Sequence, residues 1–448
     1  MNTSRIFNMV VLSLTVAVAS SQEKTPLWTM DHCMRYALVH STDVKKKQYQ
    51  SSTYKAKYQS AVASFFPTVA AGVGGQYNWG RSIDPETNIY NTVTTFNNYY
   101  ELYSSLSLFD GGQTINLWKQ AKINRQQGLN DTQKAKDDKA IEVMQAFVDV
   151  VYDEGCIKLA TDKLADSRLL LHKTVRQKEL GVKGMPDVAE IRAQEAEDDY
   201  NLTHQQNLYN TALLKLKSAM NFATSDTLAV DTLLQHLTPV LRVEDADHIY
   251  NYASVNNPAA RAAILNVENY RLQYNINKGK LLPSISLSAG VTSNYYRNFS
   301  SGTNTLPFNS QLKNNIGEYV AATIKIPIFD HTSRSDVRTA GNSVKIALLE
   351  KDETLRTLQS DILQALMDRN GYVKEILQMQ NKVDADAWAY HVAKRKFEEG
   401  MLNAIDMHTS ANTLLQSRIT LLQKRMLYLM KDRLVDYYNG YSLIKDNK

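Results

Sequence analysis

Leu281-Leu282-Pro283-Ser284-Ile285-Ser286-Leu287-Ser288-Ala289-Gly290-Val291-Thr292 alternates residue by residue. Ile285, Leu287, Ala289 and Val291 take one parity; Ser284, Ser286, Ser288, Gly290 and Thr292 take the other. Successive side chains of a strand point to opposite faces, so a period of two predicts a strand with one apolar and one small, polar face. The same pattern follows Phe65-Phe66-Pro67. There Val69, Ala71, Val73, Tyr77 and Trp79 share a parity against Thr68, Ala70, Gly72, Gln76 and Asn78. Apolar residues outside and small polar residues inside suit a wall between lipid and a water-filled lumen.

Working outward, the two stretches belong to a duplication. Pro67 matches Pro283, Leu108-Phe109-Asp110 matches Ile328-Phe329-Asp330, Gly181 matches Gly400, and Asp187-Val188 matches Asp406-Met407. The offsets are 216, 220, 219 and 219 residues. Units of about 180 residues are too long for a solenoid repeat and indicate an old internal duplication.

A second strand precedes each Phe-Asp. Leu102, Leu106 and Leu108 alternate with Glu101, Tyr103 and Ser107; Val320, Ala322, Ile324, Ile326 and Ile328 alternate with Tyr319, Thr323 and Lys325. Strands are expected at about 68–79, 99–109, 284–296 and 318–329, each long enough to cross a bilayer when tilted. Polar segments, Gly80 to Thr95 and Arg297 to Asn315, read as long exposed loops. Trp79, Tyr90, Phe96, Tyr99, Tyr100, Tyr295, Tyr296, Phe299 and Phe308 flank them, as an interfacial aromatic girdle would; Tyr is also a good strand former in soluble sheets.

After each Phe-Asp the period turns helical. Ile141, Met144, Val148 and Val151 step by three and four, as do Leu415, Ile419, Leu422, Met426 and Leu429. Leu202, Tyr209, Leu213, Leu216 and Met220 keep the same register. This is a coiled-coil seam. From Gly112 to Gly181 a continuous helix would reach about 100 Å. Long helical hairpins are expected at about 111–220, turning near Gly181-Val182-Lys183-Gly184, and at about 331–438, turning near Gly400-Met401-Leu402. Four strands cannot close a barrel free of edges, whereas three chains supply about twelve.

The remainder is bounded by composition. The 448 residues carry a net charge of +5, 43% hydrophobic residues, 25 Tyr and 2 Cys. Apolar content excludes a disordered chain. The charge is too mild, and too evenly spread, for nucleic-acid binding. Arg5 followed by an apolar run from Met9 to Ala19 predicts a cleaved signal peptide over residues 1–21. No longer apolar run follows, so a span would have to be a closed β-barrel. Cys33 and Cys156 leave a pairing open without implying one. The domains are expected as a first repeat at 22–221, a connector at 222–247, a second repeat at 248–440 and a tail at 441–448.

The opening Trp28-Thr29-Met30-Asp31-His32-Cys33-Met34-Arg35-Tyr36-Ala37-Leu38, the run Leu106-Ser107-Leu108-Phe109-Asp110-Gly111-Gly112, the Leu281 to Leu287 segment and the duplicated layout resemble the outer membrane efflux protein (TolC) family. The resemblance covers nearly the whole mature chain. It implies a mostly α fold with β: a homotrimer whose β-barrel sits in the outer membrane of a Gram-negative bacterium, continuous with a periplasmic α-barrel. It also implies a passive exit duct of an efflux or secretion system, working with a periplasmic adaptor and an inner-membrane pump. The two turns would form the periplasmic tip meeting the adaptor, through Gly181, Val182, Gly184, Gly400, Met401 and Leu402. Asp406 matches the family's acidic aperture residue; a second acid expected just beyond is replaced by His408-Thr409.

The residues give Asp406 two readings of their own. Three copies near an axis would repel one another and disfavour anions; a first-turn acid also stabilises any helix N-terminus. Asp110 and Asp330, at the strand-to-helix junctions, read as N-caps, and Asp187 after Pro186 as a helix start. No nucleophile, phosphate-loop or metal-ligand spacing occurs, so no catalytic residue, cofactor or metal is expected. The other reading of the chain is a secreted periplasmic helical scaffold or adaptor without channel activity. The two alternating strand pairs and two hairpins argue against it.

Overall fold

The computed structural model describes residues 27–83, 88–232, 238–300 and 306–444. The expected signal peptide, residues 1–21, lies outside the described residues. Among these, no helix is long and apolar enough to cross a membrane.

The chain begins with α1 (Met30–His40) and α2 (Thr42–Ala63), capped by the Thr29 and Ser41 hydroxyls, which accept from the His32 and Val44 amides. Pro67 then forbids helix and the chain enters β1 (Thr68–Ile83) and β2 (Tyr90–Phe109). Next come α3 (Gln113–Glu179) and α4 (Met185–Met220). The second series repeats this order: α5 (Ala246–Asn256), α6 (Pro258–Gly279), β3 (Ser284–Asn298), a short α7 (Phe308–Asn314), β4 (Gly317–Lys325), α8 (His331–Glu398) and α9 (Ala404–Tyr438).

The four strands form one antiparallel sheet in the order β1-β2-β3-β4, leaving β1 and β4 as unpaired edges. Its register sorts the side chains. Gly72 pairs with Glu101, which pairs with Thr292, and Gly290 pairs with both Tyr103 and Tyr319. These lie on a polar face with Ser105, Ser288 and Thr323. Val69, Val73, Leu102, Leu106, Leu287, Val291, Val320 and Ile324 fall on the other face, and most of them are exposed.

Three expectations are corrected by this sheet. The segment from Gly80 to Thr95 is mostly strand, because Trp79, Tyr77 and Ile83 find Thr94, Phe96 and Tyr90 as partners; cross-strand pairing outweighs its polar composition. The segment from Arg297 to Asn315 includes α7, which folds back on β3. The Gln311 side chain accepts from the Tyr296 amide at 3.0 Å and donates to its carbonyl at 2.9 Å, taking the place of a strand. Finally β4 stops at Lys325, since Pro327 cannot donate to a ladder. The aromatics also divide: Trp79, Tyr77, Phe96, Tyr100 and Tyr295 share the apolar face, while Tyr99 and Tyr296 stand on the polar one.

α3 and α8, of 67 and 68 residues, each reach about 100 Å. Their returning arms, α4 and α9, have only 36 and 35 residues. The missing length is supplied by α2, which packs along α3, and α6, which packs along α3 and α8. The largest core lies where α1, α3, α4 and α9 meet, around Met34, Val143, Phe147, Val151, Leu216, Met220 and Met426. Cys33 and Cys156 are free thiols within it. The connector straps this region. Trp28 forms a bridge with Val230, Tyr428 Oη bonds the Val240 backbone, and Arg242 pairs with Asp436 at 3.3 Å. Arg369, fully buried on α8, donates to the Arg242 carbonyl at 3.0 Å and to Glu244 at 3.1 Å.

Candidate functional site

The two long helices end alike. Gly181 and Gly400 both adopt φ +75°, a conformation costly for any side chain. In each turn the residue after the glycine reaches back five residues, Val182 to the Gln177 carbonyl at 2.9 Å and Met401 to the Lys396 carbonyl at 2.8 Å. This is the glycine-terminated helix end that satisfies the last carbonyls. The next helix starts at once. The Gly184 amide donates to Asp187 at 3.0 Å, and the Asp406 amide donates to Asn403 Oδ1 at 2.8 Å.

The turns carry exposed apolar side chains: Leu180, Val182 and Met185 on one, Met401 and Ile405 on the other. Leu402 packs instead against the core formed by Leu170, Ile191, Phe397, Ala404 and Met407. Asp406 is exposed in the first turn of α9, its carboxylate accepting from Asn403 Nδ2 at 2.9 Å. Its surroundings therefore accommodate both readings of the residue, as first-turn acid and as solvent-facing charge.

His408, where a second acid was expected, is buried between α9 and α3. Burial, with the Lys163 ammonium nearby, lowers it from its ordinary value of 6.5 to about 4, against the pull of Asp198. Lys163 lies 3.7 Å from Asp198 and donates to Asn412 at 3.1 Å, and the Ser167 hydroxyl donates to Asp198. Burial lowers Lys163 as well, with Asp198 opposing. The second unit holds the same three groups at an offset of 219 residues, with one exchange. Lys382 pairs with Asp386 at 2.6 Å, and the Ser417 hydroxyl donates to Asp386. Serine and carboxylate have traded helices: Ser167 on α3 corresponds to Asp386 on α8, and Asp198 on α4 to Ser417 on α9. Reading for motifs passed over this pair of clasps; the repeat offset was the signal that could have found it.

At the other end, Asp330 is the N-cap of α8, accepting from the Ser333 hydroxyl at 2.7 Å and the Ser333 amide at 2.9 Å, and these bonds hold its carboxyl below the usual range. Asp110 is not the N-cap of α3. That position belongs to Gly112, because Gly111 and Gly112 both take positive φ where the chain passes Gly279 too closely for a side chain. Asp110 accepts instead from the Thr114 amide and hydroxyl, at 2.8 and 2.5 Å. Among the described residues, no group of three His, Cys, Asp or Glu gathers as a metal site.

The sequence profile of the outer membrane efflux protein family matches residues 34–221 and 249–431. An antibiotic efflux pump outer membrane protein of Pseudomonas putida, ArpC, is 22% identical over an alignment 428 positions long that covers 90% of this chain and 81% of that protein. The fold is shared with the outer membrane protein VceC of Vibrio cholerae, at TM-score 0.78 and 13% identity over 92% of this chain and 96% of VceC. It is shared too with the open MtrE outer membrane channel of Neisseria gonorrhoeae, at TM-score 0.76 and 17% identity over 94% of this chain and 90% of MtrE. The scaffold reading finds no support among these relatives. A polar-and-apolar sheet of four strands, two helical hairpins about 100 Å long and a family profile spanning both place the chain in the outer membrane efflux protein family.

Proposed function

We propose that three copies of this chain close into a barrel and form the outer-membrane exit duct of a tripartite efflux system. The observation that carries the reading is the pair of open sheet edges. An edge strand of nine residues or more, unpaired, is an aggregation hazard unless a neighbour covers it. β4 of one copy against β1 of the next repeats the antiparallel pattern and closes the ring at about twelve strands. The polar face then lines the lumen and the apolar face meets lipid.

The residue ranges follow from the same reading: a cleaved leader, two repeats of helix, strand pair and hairpin, and a connector strapped across α8 and α9. The chain performs no chemistry in this scheme. The two turns form the periplasmic tip, where Val182, Met185 and Met401 offer apolar contact to a periplasmic adaptor that links the duct to an inner-membrane pump. Asp406 from each copy rings the aperture, and opening moves α8 and α9 as a hairpin.

The test is the mass of the mature protein in detergent together with its conductance in a planar bilayer. A stable trimer with discrete steps is expected, and Asp406→Ala should raise the step size, since it removes the ring of charge and its Asn403 contact. A monomer that never inserts would overturn the duct. A trimer whose conductance ignores Asp406 would move the gate elsewhere.

A further inference from the structure

The polar face of the sheet is not uniformly small. Tyr99, Tyr103 and Tyr319 stand on it, and each has a glycine beside it on a neighbouring strand. Tyr99 pairs with Gly74, and Tyr103 and Tyr319 both pair with Gly290. A β-carbon at Gly74 would lie 2.3 Å from the Tyr99 ring, and one at Gly290 would lie 2.7 Å from the Tyr319 ring. The outer ends of these two rings therefore lie over the glycines, in the space a side chain there would fill. Tyr99 remains 54% exposed and Tyr319 43%. Midway between the Tyr99 and Tyr103 rows sits Glu101, whose carboxylate lies across Gly72 in the same manner, 2.6 Å from where a β-carbon would be.

Glu101 is the one carboxylate of the polar face among the described strand residues, and Lys325, six residues along β4 from Tyr319, is its one cation. Its backbone is paired in the sheet, but no hydrogen bond or ion pair to another described residue holds the Glu101 carboxylate. An unpaired carboxylate flanked by exposed aromatic rings is the chemistry that attracts organic cations, the rings through their quadrupole and the acid through its charge. Glycines placed opposite these side chains, rather than alanine or serine, keep the band flat against the wall and the passage wide.

We infer that this band, Tyr99, Glu101, Tyr103 and Tyr319 from each chain, is a weak binding surface for aromatic organic cations in transit through the barrel. It rests on the duct reading, which supplies the lumen and the repetition around it. Weak contacts repeated around a ring suit transport, because passage requires a site that can be left as readily as entered.

Single-channel recording of the full mature protein tests it, with ethidium as the aromatic cation, tetraethylammonium as a cation without aromatic faces, and naphthalene disulfonate as an aromatic anion. Ethidium should give resolvable interruptions of the wild-type current, and the other two should not. Glu101→Gln, which keeps the shape of the side chain, should shorten those interruptions about fivefold. Tyr99→Ala should do the same and Tyr99→Phe should not, since the ring face rather than the hydroxyl makes the contact. Equal dwell times in wild type and Glu101→Gln would overturn the inference and leave the duct standing. Should Tyr99→Ala fail to insert, the Glu101→Gln comparison decides alone. A wild-type protein that forms no channel would overturn the duct, and this surface with it.

Discussion

His408 shows how one residue departs from the pattern around it. Its neighbour two positions back, Asp406, is exposed, while His408 is buried and neutral beside Lys163 and Asp198. A histidine in the unfolded chain takes up a proton near 6.5, whereas in the fold it resists until about 4. Between these values the unfolded chain binds more protons, so stability is full above about 6.5 and is lost as pH falls toward about 4, by roughly 3 kcal/mol. Thermal melting of the detergent-solubilised protein at pH 7 and at pH 4.5 should therefore show a larger drop for wild type than for His408→Met. Equal drops would mean that His408 takes up its proton in the fold as readily as in the unfolded chain, the site relaxing to admit the charge.

At the scale of elements, the two Lys–Ser–Asp clasps make an internal experiment. Both join the outgoing and returning helices of a hairpin at the same height, yet the carboxylate sits on α4 in one and on α8 in the other. Either placement works, provided that the lysine finds one acid and the acid one hydroxyl. Asp198→Ser alone leaves Lys163 buried without its charge partner and should cost about 3 kcal/mol. Ser167→Asp alone brings two carboxylates together and should also destabilise. The double exchange recreates the arrangement of the second unit and should recover most of the loss, a coupling readable from four melting temperatures. Additive losses would mean that the surroundings, and not the clasp, decide which helix carries the acid.

The elements also show what sequence could reveal. The period-two stretches after Pro67 and Pro283 and the three-four seam through Met144, Val148 and Val151 exposed strand and helix directly, because each buries or presents one face throughout. The strand from Tyr90 to Asn98 did not show itself. Its Thr, Asn and Tyr residues lack an apolar parity, and its pairing with β1 is visible only in three dimensions. α7 was hidden for a similar reason, since Gln311 holds it through backbone groups of β3. The short returning helices were equally illegible: nothing in α4 states that α2 completes its layer. Of the site, the glycine turns and Asp406 could be read from the repeat. The burial of His408 could not, because it depends on which side of α9 meets α3.

On the scale of the whole molecule, a chain this long has its largest core at the meeting of α1, α3, α4 and α9, with the connector and Arg369 tying α8 to that region. The sheet, by contrast, shows exposed apolar residues on one face and unpaired strands on both sides. The helical part is packed within one copy, whereas in the ring proposed above the two edges of the sheet would be covered by neighbouring copies.

Those two unpaired edges also have a genetic consequence. A ring that closes edge to edge is no better than its worst member, so a defect in one allele is not diluted by a good copy. A proline at Val320, in the middle of β4, would spoil every ring it enters. Expressed equally with the wild type, it would leave about one assembly in eight intact if the ring is threefold. The variant should therefore behave as dominant over the wild-type gene, and efflux measured in a merodiploid strain would count the chains in the ring.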